Sequence, residues 1–249
     1  MTSLIRSEIR RLTSRRLVKA LVGLALLAIT VTGVLVAVYS RGFERFSILN
    51  LPGVLEGTSF LLGAGGWVIG ASFAGAEWES GSITTLLTWE SRRTRVILTK
   101  VAVVAGGMFL IGVFAEALFA LVLALVAATR GTTAGADVDL VRAVVTLGLR
   151  VAALSGIGAA LGFSLAMVSR NTGAAIGIAF AYLAIVEAIM RGLRPGWRPW
   201  LLGDSASAFV LAGDPVIGRS VWSAAAVLLV YAGGFILIAT TTFRIRDVT

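Results

Sequence analysis

The chain has 249 residues, 57% of them hydrophobic and 14% charged, where a soluble domain carries about 25% charged residues. With a mean hydropathy of +0.93 it has too little polar surface for a water-soluble fold, so lipid must be the solvent for most of it. Its net charge of +9 sits beside apolar runs, which points to headgroups and topology and away from nucleic acid as a partner.

Cysteine and histidine are absent. That excludes disulfides and thiolate chemistry, and removes the commonest metal ligand and general base. No catalytic residue and no metal site are expected. Glycine is abundant at 29 residues and proline scarce at 4, a composition suited to close-packed membrane helices. Continuous apolar runs, without strict alternation, argue against a barrel. The expected fold is an all-α integral membrane protein with one transmembrane domain over the whole chain.

Residues 2–16 predict an amphipathic interfacial helix. Leu4, Ile5, Ile9 and Leu12 gather toward one face and Arg6, Arg10, Arg11 and Arg15 occupy the rest, the pattern of a helix lying in the headgroup plane. The first predicted span follows at about 17–39. It is too long for the apolar core of a signal peptide, and "VAVYSRG" lacks the small residues of a cleavage site. The second span is predicted at about 58–76.

A polar segment, "AEWESGSITTLLTWESRRTRVILTK", begins at residue 76. Gly81 and Ser82 can end one helix and cap another. A short helix from Ser82 would gather Ile83, Leu86 and Leu87 on one face, and apolar residues facing water need a partner. Glu77, Glu79 and Glu90 would repel an anionic membrane, which favours a protein partner.

The third span is predicted at about 96–128 and the fourth at about 141–168. Glu116 and Arg150 fall inside them at similar depth, so an ion pair between them is expected. Such a pair would either lock the hairpin of spans three and four or line a transport path. The fifth span is predicted at about 173–190, with Glu187 near its outer end, placed to reach the headgroups or to pair with Arg191 one turn on. Residues 191–220 are semi-apolar, punctuated by Pro195, Pro199 and Pro215, with Trp197 and Trp200 suited to the interface. Short outer-leaflet helices are expected there, before a sixth span at about 221–242. Small-xxx-small pairs occur at Gly66 with Gly70, Gly158 with Gly162, and Gly173 with Gly177. They imply close packing without saying which faces meet.

An even number of spans puts both termini on one side. That side collects thirteen lysines and arginines against eight on the other, with Arg150 inside a span, so cytoplasmic termini are expected. Only two lysines exist, Lys19 and Lys100, preceded by Val18 and Thr99. No phosphate-cradling loop can be built around either.

Glu77, Glu79, Gly81-Ser82, Leu86-Leu87, Arg92-Arg93 and Lys100 resemble the cytoplasmic coupling loop of ATP-binding-cassette (ABC) exporter permeases of the type-2 family. "LLTWESRRTRVILTK" is similar to actinobacterial members in particular. Two departures stand out: Ser82 replaces the usual threonine, and Ser91 replaces the usual proline, which loosens the expected turn. The resemblance implies six spans, a coupling helix after the second, and a plasma-membrane exporter of two permeases and two separate ATPase subunits. A homodimer of this chain is the default. ATP and Mg would be held by the ATPase, and no cofactor by this chain. Ile83, Leu86, Leu87 and Trp89 would form the apolar contact with the ATPase. Glu77, Glu79, Gly81, Ser82, Arg92 and Arg93 would complete it, with the charged members as a polar rim. The cargo path would lie between the two permeases, lined mainly by spans one, two and five. A rival reading is a membrane anchor or sensor that binds an ATPase without moving cargo. A secondary transporter is less favoured, because no inverted repeat or broken-helix pair is visible.

Overall fold

The chain is all-α. The computed structural model, which describes residues 2–42, 45–81 and 92–245, is 87% helical. Among the described residues, six stretches are long and apolar enough to cross a membrane.

Helix α1 (Thr2–Ser14) is separated from α2 (Arg16–Gly42) by a break at Arg15. A single 3-10 turn at Ile48–Asn50 leads into α3 (Leu51–Glu56), where Pro52 occupies the first turn, a position that needs no amide donor. Helix α4 (Ser59–Glu79) follows, then α5 (Arg93–Arg130) and α6 (Val138–Ser169). At a rise of 1.5 Å per residue α5 is about 57 Å long, longer than a bilayer core, so it tilts or projects.

Asp137 starts α6 by accepting the Leu140 amide at 2.8 Å, and Asn171 starts the next helix by accepting that of Ala174 at 2.8 Å. Between those helices Arg170 takes a left-handed conformation, φ 56°, which stops α6. Helix α7 (Thr172–Ala181) continues through a π turn (Tyr182–Val186) into α8 (Glu187–Leu193). A 3-10 stretch (Pro195–Trp200), α9 (Leu202–Val210) and a two-stranded antiparallel hairpin, β1 (Gly213–Asp214) with β2 (Arg219–Ser220), precede α10 (Val221–Ile245).

Helix α6 is the axis of the bundle. Of its most apolar stretch 78% is buried, against 11% for α2, which lies at the edge. Two of the three glycine pairs explain this. A side chain at Gly66 or Gly70 of α4 would overlap the carbonyl oxygens of Ser155 and Ala159, and one at Gly158 or Gly162 of α6 would overlap those of Gly63 and Trp67. The two pairs face each other across one crossing, where backbones touch. Gly173 and Gly177 take no part, since nothing lies within 4 Å of a methyl added at Gly177.

Three apolar clusters fill the interior. At one end, the α1 end, Leu12, Phe73, Ile97, Phe163 and Phe243 bring together α1, the last turns of α4 and α10 and the first turns of α5. At the other, the α9 end, Leu51, Leu55, Phe119, Leu123 and Val151 pack under α3, while Leu161, Leu202, Leu228 and Ala232 hold α9.

Candidate functional site

The most concentrated electrostatics lie at the α1 end, on α1 and the two helices that flank residues 82–91. Lys100 is 1% exposed, and its ammonium donates to Glu8 at 2.8 Å and to Glu77 at 2.6 Å. Arg11 donates to the same Glu77 oxygen at 2.9 Å and lies 3.7 Å from Glu8. Glu8 and Glu77 are themselves 1% and 3% exposed. A buried charge is tolerable only when paired and hydrogen-bonded, so these four side chains stand or fall together. The second oxygens of Glu8 and Glu77 have no partner among the described residues.

Aromatic faces add to the cluster. Lys100 lies 5.6 Å and Arg15 4.8 Å from the Phe73 ring centroid. Arg15 also donates to the carbonyls of Ser72 at 2.6 Å and Phe73 at 3.3 Å. Burial lowers the Arg15 pKa from its ordinary value, while the nearby Glu77 carboxylate acts in the opposite sense.

Glu77 was expected on an exposed rim, and here the structure corrects the sequence reading. Its side chain turns inward because Lys100, about two turns into α5, requires a counter-charge. Glu79 and Gly81 are exposed, and Gly81 has φ 66°, a conformation that suits glycine at a helix end. Ser82, Ile83, Leu86, Leu87 and Trp89 lie outside the described residues. Arg92 is exposed. Arg93 is half-buried and donates to the last carbonyls of α10, Phe243 at 3.1 Å and Arg244 at 3.4 Å, where a cation also complements the helix dipole. It therefore ties α5 to α10. Trp78 packs edge-on to Phe243, with ring centroids 6.0 Å apart, and Arg170 lies 4.5 Å from the Trp78 ring centroid.

The expected Glu116–Arg150 pair does not form. Glu116 is buried and one of its oxygens accepts the Thr58 hydroxyl, while the other has no partner among the described residues. The residue of α6 that faces it is Gly148, where a methyl would lie 3.4 Å from the Glu116 Cβ. Two residues further on is about 200° around the helix, so Arg150 points to another face and stays half-exposed. Equal depth was legible in the sequence, whereas the rotation of α6 was not.

A second polar group sits at the α9 end. Glu187 is 0% exposed and accepts from the Gly203 amide at 2.8 Å and from Arg191 at 2.9 Å. Arg191 and Arg198 both reach Asp204, at 3.1 Å and 3.3 Å. The spacing of Glu187 and Arg191 suggested their pairing. Asp204 had no such local signal. Glu187, Arg191 and Asp204 border the α9 end of a cavity of about 420 Å³ between α4, α6 and α7, lined by Phe60, Trp67, Leu154, Phe180 and Leu183. A greasy chamber with a few polar groups at one end can hold an amphipathic molecule. Among the described residues, no three acidic side chains come together as a metal site would require.

Neither a protein-family model nor a curated protein matches this chain.

Proposed function

We propose that this chain is the transmembrane permease subunit of an ATP-driven ABC-type exporter. It lies in the plasma membrane with both termini cytoplasmic, and it moves an amphipathic or hydrophobic cargo outward. A separate ATPase subunit, present in two copies beside two permeases, binds and hydrolyses ATP with Mg. The observation that carries this reading is the Glu8–Lys100–Glu77–Arg11 cluster. It joins the end of α4 and the start of α5 to α1, so the two helices that flank residues 82–91 are braced against each other. A force applied to that segment by a moving partner would reach α4 and α5 together, instead of being lost in a loose loop. Helix α4 crosses α6 with backbones in contact and also lines the cavity of about 420 Å³, so such a displacement would act on a chamber of suitable size for cargo.

Leu86 and Leu87 are the apolar groups assigned to the ATPase contact. Replacing both by aspartate should abolish cargo-stimulated ATP hydrolysis in the reconstituted complex while the permease still inserts in the membrane. Stimulation that persists in that variant would refute the assignment. The same vesicles separate the exporter from a sensor subunit, which would support ATP turnover with no net movement of cargo.

A further inference from the structure

Five carboxyl groups are buried among the described residues. Glu8, Glu77, Glu187 and Asp204 each have a lysine or arginine within 3.1 Å. Glu116, 3% exposed, has none among the described residues, and its second oxygen meets no hydrogen-bond partner. It lies beneath α3, beside the apolar cluster that holds Leu55, Phe119 and Leu147. The helices around it bring no charge to it. Glu56 of α3 is exposed, as are Asp139 and Arg142 of α6, and Arg150 turns to another face. Helix α2 has no charged residue between Lys19 and Arg41, α4 has none before Glu77, and α5 has none between Lys100 and Arg130 besides Glu116 itself. Asp204 of α9 is held by Arg191 and Arg198, and Arg45, in the loop before α3, is exposed.

The hydrogens near Glu116 do not balance for a carboxylate. The Thr58 hydroxyl, in the turn between α3 and α4, reaches both Glu116 and the Leu55 carbonyl, the latter at 2.6 Å. A hydroxyl has one hydrogen to give. While Glu116 accepts it, Thr58 Oγ and the Leu55 oxygen face each other with no hydrogen between them. A proton on Glu116 removes the conflict: the acid donates to Thr58, and Thr58 donates to Leu55. It also removes a buried charge that no cation offsets.

We infer that Glu116 is a proton-binding site that latches α3 onto α5. In the protonated state one chain of hydrogen bonds runs from Glu116 through Thr58 to the last turn of α3. Loss of the proton to water reverses the Thr58 bond. The Leu55 oxygen then keeps only the Thr58 amide, at 3.0 Å, and the carboxylate needs water. Water reaches it where α3, six residues long, lifts from α5 and α6. Closed α3 therefore binds one proton more than lifted α3. The inference does not depend on what the chain transports.

The test uses the full-length chain in lipid nanodiscs, as wild type, Glu116→Gln and Thr58→Val. Infrared difference spectra at neutral pH should show the C=O band of a protonated carboxylic acid in the wild type and none at that place in the glutamine variant. Thr58→Val keeps the shape of the side chain but removes its hydroxyl, and should shift the band. Hydrogen exchange of α3, corrected for the intrinsic effect of pH, should rise by up to about tenfold per pH unit while the band titrates, because one proton separates the closed and lifted states. In Glu116→Gln it should stay level. A wild type without the band, a band unmoved by Thr58→Val, or equal exchange slopes in the wild type and the glutamine variant would each overturn the inference. Should the glutamine variant fail to fold, Thr58→Val assigns the band in its place, and a wild-type exchange profile that stays flat across the titration overturns the latch.

Discussion

Lys100 is the residue on which the α1 end depends. It stands in an apolar run, "ILTKVAVV", and its two acceptors come from residues 8 and 77. Lys100→Met would leave two carboxylates buried with only Arg11 between them, and should cost about 3–5 kcal/mol. Thermal unfolding of the purified chain would read this as a large fall in midpoint. Adding Glu8→Gln and Glu77→Gln should restore most of the loss, because amides need no counter-charge. If the triple variant is as unstable as the single one, the cluster is not what Lys100 supports. The oddity of a lysine among valines was visible in the sequence, where it counted toward topology. Its partners were not visible, because the approach of α1 to α5 is set by packing and by no local spacing.

At the scale of elements, the crossing of α4 over α6 holds the bundle together. Gly70→Leu would drive a side chain into the backbone of Ala159, which no rotamer change can relieve. The expected cost is about 1–3 kcal/mol or loss of the folded protein, read by unfolding in detergent. Gly177→Leu is the control, with an expected change within about 0.5 kcal/mol, since that glycine has open space beside it. Equal effects at both positions would show that the crossing is not specific. The sequence contains three equivalent glycine pairs, and spacing alone ranks none above the others. Only the rotation and tilt of the helices select two of them. The same rotation separates Arg150 from Glu116.

For the whole molecule, orientation is the open physical variable, and the lack of cysteine makes it directly measurable. With cytoplasmic termini, Val216→Cys, at a position 82% exposed in the hairpin loop, should react with a membrane-impermeant maleimide in intact cells. Glu79→Cys, at the opposite end, should react only after the membrane is opened. The reverse pattern would invert the topology and remove the ATPase-docking role proposed for residues 82–91. The sequence by itself determined the solvent, the helical class and six membrane-length stretches, because burying backbone polar groups in lipid leaves continuous apolar helices as the solution for such runs. It also marked residues 76–100 as the one long polar interruption in the first half of the chain. The tertiary structure alone decided which charges meet: Glu77 turned inward to Lys100, Asp204 joined Glu187 and Arg191, and Glu116 was left with Thr58. The reason is that hydrophobicity is a sum along the chain, whereas an ion pair depends on the angle at which one helix faces another.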